Sequence, residues 1–192
     1  MRRLKRIVLV GVLVAVLVLT AVGCSSSGTS GAEASVVKLG SVTDYRAQGT
    51  QPLAKDAPAP DFEFTMPDGE RLFLSELHGK VVLLNFWGVN CPYCVKEMPY
   101  LQKVYDDLSP QGLVVLGINT GDPEKSVSSF VSSHNIGFPV VLDPKVYAST
   151  LYGARYLPTT VISDKTGNIR IGRIGAYESA DQIMTDLSDL PN

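Results

Sequence analysis

Apolar positions along the chain follow two patterns, which together predict alternating strands and helices. "VVLLNFW" (81–87) and "LVVLGINT" (113–120) are almost continuous apolar runs, which are typical of strands buried on both faces of a sheet. Shorter segments with strand character lie at 61–65, 70–74, 138–143, 159–164 and 169–175. Helices are predicted at 92–108, 124–135, 145–153 and 179–190. This order predicts an α/β fold with a mixed sheet, preceded by a β-hairpin formed by the first two short strands.

The first 23 residues form a segment of a different kind. The basic start "MRRLKR" is followed at 7–23 by a stretch without any charge. This stretch is a little long for a signal-peptide core and short for a spanning helix. A positive flank keeps the start of the chain in the cytoplasm and directs the rest outward. We therefore predict a signal or anchor segment at 1–23 and an extracytoplasmic location for the remainder.

Cys24 closes this segment in "TAVGC", which is similar to a bacterial lipoprotein signal in which the cysteine is lipidated. Ala21 stands where a leucine is more usual, so a retained membrane anchor and simple cleavage remain as alternatives. Cys24 is the odd cysteine of three, and acylation would remove a free thiol. A doubly acylated cysteine would also provide stable anchoring.

Composition divides the rest of the chain in two. Residues 24–56 are rich in Ser, Gly, Ala and then Pro, which predicts a flexible tether. The weakly strand-like "VVKLGSV" inside it is given no assignment. Residues 57–192 are predicted to form one folded domain.

The charge distribution argues against nucleic-acid binding. The chain holds 17 basic and 19 acidic residues, and four of the basic ones lie within the first six positions. No basic cluster follows them, whereas nucleic-acid binding needs clustered Lys and Arg.

The candidate chemistry lies in Cys91 and Cys94, which form a CxxC pair between an apolar strand and a helix. A closed zinc site needs four ligands, and His78 and His134 stand alone, so no metal site is predicted. A structural bridge over so short a loop would add little stability. A redox couple fits better, and it would need no cofactor beyond its own disulfide.

The predicted local structure gives the two cysteines different roles. Cys91 would be the helix N-cap and Pro92 the first helical residue, where a missing N–H costs nothing. The free N–H groups of Tyr93 and Cys94 and the helix dipole would then favour a thiolate at Cys91. We expect Cys91 to attack the substrate and Cys94 to resolve the mixed disulfide.

The segment "VVLLNFWGVNCPYCVKEMPYL", together with "YLPTTVISDKTGNI", resembles the thioredoxin superfamily. Within it, residues 57–190 are similar to extracytoplasmic, membrane-tethered TlpA/ResA-like thiol–disulfide oxidoreductases. The resemblance implies a thioredoxin fold, in which a central mixed β-sheet is flanked by helices, with an N-terminal β-hairpin extension.

The resemblance also assigns roles to residues around the cysteines. Pro158 matches the family's cis-proline, and an ordinary trans turn proline is the alternative. Leu157 before it, Trp87, Pro92 and Tyr93 are expected to face the substrate, with Trp87 as a packing platform.

A second set of matching positions concerns the proton of Cys94. Thioredoxins carry a buried Asp where this chain has Asn85, which takes no proton. ResA-like proteins instead have a Glu three residues after the second cysteine, and Glu97 stands there. Glu97 is thus implied as the acceptor of the Cys94 proton; alternatively it only complements the helix start.

The implied function is the reduction of protein disulfides, such as those of apocytochrome c, with electrons from a membrane donor of the CcdA/DsbD type. The Pro92-Tyr93 dipeptide follows the glutaredoxin pattern, which leaves open an oxidising disulfide donor. Two further alternatives are a thiol peroxidase of the peroxiredoxin type and a binding lipoprotein whose CxxC pair is structural.

Overall fold

Eight strands form one mixed sheet in the computed structural model, which describes residues 37–45 and 54–190. The strands are β1 (Gly40–Tyr45), β2 (Phe62–Thr65), β3 (Arg71–Phe73), β4 (Val82–Trp87), β5 (Val114–Thr120), β6 (Val140–Asp143), β7 (Thr159–Ser163) and β8 (Ile169–Ile174). The helices are α1 (Pro92–Leu108), α2 (Glu124–Ser133), α3 (Tyr147–Leu151) and α4 (Ala180–Ser188), with 3₁₀ turns at Leu74–Leu77 and Ser109–Gln111. Across the sheet the order is β3-β2-β1-β6-β5-β4-β7-β8.

The centre of the sheet follows from the two long apolar runs. All six residues of β4 are buried. β4 pairs parallel with β5 on one side and antiparallel with β7 on the other, so both of its edges and both of its faces are covered. α1 begins and ends where the sequence predicts. The predicted α/β fold with a mixed sheet is confirmed.

Side chains of β4 alternate between two hydrophobic clusters. Leu83 and Trp87 pack in the cluster that includes residues of α1, α2 and α4. Leu84 and Phe86 pack in the cluster that includes β2, the first 3₁₀ turn and α3. Because neighbouring strand residues point to opposite faces, Asn85 shares the α1 face with Leu83 and Trp87.

β1 corrects the predicted domain boundaries, because it lies within the proposed tether at 24–56. It pairs antiparallel with β2 and parallel with β6, and Val42 is buried. At Gly40 a Cβ atom would collide with the carbonyl oxygen of Thr65, so glycine permits this close approach. The tether prediction is therefore wrong for residues 40–45.

β2 and β3 pair antiparallel across a turn that contains Gly69 in a left-handed conformation.

The predicted signal segment at 1–23 and Cys24 lie outside the described residues. Over 37–45 and 54–190, none of the helices has the length and apolar character needed to cross a membrane.

Candidate active site

The cysteine pair lies where β4 gives way to α1. Cys91 and Cys94 are joined by a disulfide. Cys91 is the N-cap of α1 and Pro92 is the first helical residue, as predicted. The backbone N–H of Cys94 donates to Cys91 Sγ over 3.1 Å. The Cys91 sulfur therefore lies at the positive end of a 17-residue helix, where a thiolate is stabilised.

The two sulfurs differ in access. Cys94 has no exposed surface, whereas Cys91 is half-buried. Pro92 is exposed, and Tyr93 has 67% of its surface exposed. A substrate thus meets Cys91 first, which agrees with Cys91 as the attacking and Cys94 as the resolving thiol.

Pro158 lies at the same edge of the sheet. The Leu157–Pro158 peptide bond is cis, as the resemblance implies. β7 begins directly after it, and the antiparallel pairing of Phe86 with Thr159 brings this start next to the end of β4. The half-buried Leu157 side chain lies 3.4 Å from the place of a Cβ at Gly88, in the loop before Cys91.

The cis-proline loop is held by two further hydrogen bonds. Thr159 Oγ1 donates to the carbonyl of Tyr156 over 2.6 Å, and Gly175 N donates to the carbonyl of Pro158 over 2.9 Å. Tyr156 itself is 70% exposed. The loop is therefore fixed in its backbone while it exposes an aromatic side chain two residues before Pro158.

Glu97 is fully buried one helical turn beyond Cys94. Its Oε1 accepts from Asn85 Nδ2 over 2.8 Å, and its Oε2 accepts from the backbone N of Tyr177 over 2.9 Å. Burial raises the pKa of Glu97 from 4.5 to about 7, although these two hydrogen bonds and the positive charge of Arg173 oppose the rise.

This environment separates the two roles expected for Glu97. Both carboxylate oxygens accept hydrogen bonds from groups outside α1, so these contacts of the side chain are directed away from the helix start. A carboxylate whose pKa is close to neutral, placed on the helix face of a buried thiol, is suited to accept the proton of that thiol.

Asn85 connects Glu97 to the central sheet. It has no exposed surface, and it pairs with Thr160 of the neighbouring antiparallel strand β7. Its Nδ2 donates to Thr160 Oγ1 over 3.0 Å in addition to Glu97. Its Oδ1 has no hydrogen-bond partner among the residues that the structure describes.

Comparison with known proteins agrees with this geometry. The model of the AhpC/TSA family matches residues 56–171, which is more than half of the chain. The chain belongs to the AhpC/TSA family. It is 41% identical over 102 residues to "Thiol-disulfide oxidoreductase ResA" of Halalkalibacterium halodurans, covering 53% of this chain and 58% of that protein. It is 38% identical over 118 residues to ResA of Geobacillus kaustophilus, covering 62% and 68%.

A solved structure extends the likeness to the fold. StoA from Bacillus subtilis matches with a TM-score of 0.60 and 27% identity, covering 69% of this chain and 98% of StoA. This AhpC/TSA family member thus has a thioredoxin-like fold and is related to enzymes named thiol-disulfide oxidoreductases.

The position of Trp87 differs from the prediction. It was expected to face the substrate, but it has no exposed surface, and its ring packs against Phe130 with centroids 5.0 Å apart. In the described part of the chain, its Nε1 has no hydrogen-bond partner. Trp87 lies on the same face of β4 as Asn85 and packs against Phe130 of α2, so it contributes to the core beneath the site.

Asp122 was missed by the sequence analysis. Its Oδ2 accepts from Val89 N over 2.8 Å and from Asn119 Nδ2 over 2.9 Å, and its own N–H donates to Asn119 Oδ1 over 3.2 Å. This clamp fixes the loop before Cys91. A signal was present, since Asp122 follows a buried parallel strand whose end lies beside that of β4.

The two histidines of the AhpC/TSA domain lie in separate places. His134 stacks on Phe130 with centroids 3.9 Å apart, and the ring of His78 lies beside Gly167. Over the described residues, no three His, Cys, Asp or Glu side chains are grouped so that they could hold a metal ion.

Proposed function

We propose that this protein is a membrane-tethered, extracytoplasmic oxidoreductase that reduces disulfides of protein substrates, with apocytochrome c as a substrate before haem attachment. The proposal rests mainly on one observation: the buried Glu97 carboxylate lies on the helix face of Cys94, the shielded member of the disulfide. The names of the ResA relatives support the reaction class.

The reaction consists of two exchanges. The Cys91 thiolate attacks one sulfur of the substrate disulfide, a mixed disulfide forms, and the first substrate thiolate leaves. Cys94 then gives its proton to Glu97 and attacks the Cys91 sulfur. The second substrate thiolate leaves and is protonated, so the substrate gains two electrons and the protein ends with the Cys91–Cys94 disulfide.

The disulfide must be reduced again for a second turnover. A membrane donor of the CcdA/DsbD type would supply these two electrons by the reverse exchange through Cys91. The proposed location is supported by the sequence, in which the basic start, the uncharged stretch at 7–23 and Cys24 follow the order of a lipoprotein signal.

Trapping of the mixed disulfide tests the reaction. Full-length Cys94→Ser, reduced and mixed with a disulfide-bonded protein, should accumulate a covalent adduct through Cys91 that mass spectrometry identifies. Cys91→Ser is the matched control and should form none. Absence of an adduct in Cys94→Ser, with peroxide consumption retained, would instead favour the thiol peroxidase alternative.

The direction of electron flow is tested by the reduction potential of the Cys91–Cys94 couple. A value of about −270 mV supports a reductant, whereas a value of about −120 mV would make the protein a disulfide donor.

The anchoring is tested by labelling growing bacteria with a radioactive fatty acid. We expect label in the wild-type protein and none in Cys24→Ser; an unlabelled wild type would contradict lipidation.

A further inference from the structure

The unpartnered oxygen of Asn85 points to a second role for this residue. Asn85 is fully buried on the central strand, yet only one end of its amide has partners among the described residues. Nδ2 makes two hydrogen bonds, to Glu97 and Thr160, and Oδ1 makes none within residues 37–45 and 54–190. A buried polar atom without a partner destabilises the folded state, so this arrangement requires an explanation.

The hydrogen bonds around Glu97 favour its charged form. Both carboxylate oxygens accept from N–H donors, Asn85 Nδ2 on one side and Tyr177 N on the other. Once Glu97 carries a proton, its O–H group is itself a donor. This O–H group then needs an acceptor, and neither Asn85 Nδ2 nor the Tyr177 N–H can be one.

The two donors differ in their freedom to respond. The N–H of Tyr177 belongs to the backbone and cannot become an acceptor. The Asn85 amide can turn by half a revolution, which exchanges the places of Nδ2 and Oδ1. The Thr160 hydroxyl either accepts or donates, so it can pair with the amide in both positions.

We propose that Asn85 is a positioning residue that serves both protonation states of Glu97: its Nδ2 donates to the carboxylate, and after a half-turn its Oδ1 accepts from the carboxylic acid. The proposal deepens the proposed function, since it concerns the step in which Glu97 takes the Cys94 proton. In either position one end of the amide has partners and the other end has none.

This role explains why an amide suits position 85 beside a buried Glu. An aspartate there would place a second carboxylate within about 3 Å of Glu97, and two carboxylates so close do not both ionise. The charged and titratable groups facing this network are Arg173 of β8, which favours the Glu97 carboxylate, and Asp186 of α4, which accepts from the Tyr177 hydroxyl over 2.8 Å. Arg173 only donates, and the hydrogen bond that Asp186 accepts comes from the Tyr177 hydroxyl rather than from Glu97.

Nuclear magnetic resonance of the full-length oxidised protein tests the half-turn directly. The carboxyl carbon of Glu97 reports its titration, and the Asn85 Nδ2 protons report their distance to the Glu97 side chain through nuclear Overhauser effects. Above the titration midpoint this effect should be strong, and below it should fall by at least about threefold as Nδ2 turns away. An effect of equal strength at both ends of the titration would overturn the proposal.

Asn85→Leu gives a second, independent readout. If the amide serves both forms, its removal changes the proton affinity of Glu97 by less than about threefold, while the Cys94 step slows. If it is only a fixed donor to the carboxylate, the affinity rises by more than about tenfold, which would refute the proposal. Ser163→Ala, a buried polar change on β7 next to Val82, is the matched control.

These results are separable from the function proposed above. Both readouts follow Glu97 and Asn85 and do not require turnover of a protein substrate. If no mixed disulfide forms at Cys91, the proposed function fails while the half-turn is still decided by the titration. If the adduct forms and the Asn85 signals do not change, only the role of Asn85 is wrong.

Discussion

Glu97→Gln removes the proton acceptor on the helix face of Cys94 while it keeps the shape of the side chain. An ordinary thiol has a pKa of about 8.5, so transfer of its proton to a carboxylate with a pKa of 4.5 costs about 5.5 kcal/mol. With the pKa of Glu97 raised to about 7 by burial, the transfer costs only about 2 kcal/mol. The difference corresponds to a roughly 300-fold larger population of the Cys94 thiolate with its proton on Glu97.

The effect of this substitution appears in the second exchange, the attack of Cys94 on the mixed disulfide. We expect this step to slow by about 10²-fold in Glu97→Gln at pH 7. In the wild type its rate should rise with pH and level off above about pH 7, where Glu97 is ionised. In the variant the rate should continue to rise, about tenfold per pH unit, until the thiol itself ionises.

Stopped-flow absorbance measures this step by itself. Reduced protein is mixed with an aromatic disulfide, so that a coloured thiolate is released first when Cys91 is modified and again when Cys94 displaces the second aromatic group. The second phase is followed from about pH 5 to 9 in the wild type and in Glu97→Gln. Glu124→Gln, an exposed change on α2, is the control and should match the wild type. A Glu97→Gln profile that superimposes on the wild type would refute Glu97 as the acceptor.

Three further outcomes follow from the contacts described above. Because the pKa of Glu97 is higher in the folded than in the unfolded protein, its stabilising effect is present below about pH 4.5 and lost as pH rises through about 7. In the wild type the free energy of unfolding, measured with urea, should therefore fall by about 3 kcal/mol between these pH values, and in Glu97→Gln this fall should be missing. An equal fall in both proteins would argue against the raised pKa. Asp122→Ala removes the acceptor of Val89 N, so amide exchange at Val89 should speed up by at least about tenfold; an unchanged rate would show that the clamp does not hold the loop. Thr159→Val frees the Tyr156 carbonyl and should weaken exchange with protein disulfides more than with the small aromatic disulfide; equal losses would contradict a role for this loop in protein recognition.

The features predicted well from sequence are those with a strong local cause. The apolar run of β4 leaves few alternatives to a strand buried on both faces, and Pro92 directly after Cys91 marks the start of α1. The cis bond before Pro158 and the importance of Glu97 came from the family resemblance, because neither has a local signature of its own.

The features that sequence reasoning missed depend on distant contacts. A strand that is apolar at nearly every position does not reveal which face each side chain takes, which is why Trp87 was wrongly expected to face the substrate. The Tyr177 amide that binds Glu97 lies 80 residues away along the chain. Only the completed sheet brings such groups together.

The position of β1 decides which fragments of this protein can stay soluble. A fragment that begins at residue 57 would have the whole CxxC site but would lack the strand that joins β2 to β6. The β2–β3 hairpin would lose its attachment to the sheet, and β6 would become an open edge with unpaired N–H and C=O groups. Open edges of this kind pair with other chains and promote aggregation. A fragment from residue 36 would keep β2 and β6 paired, so the segment that contains β1 also protects this part of the sheet from pairing with other chains.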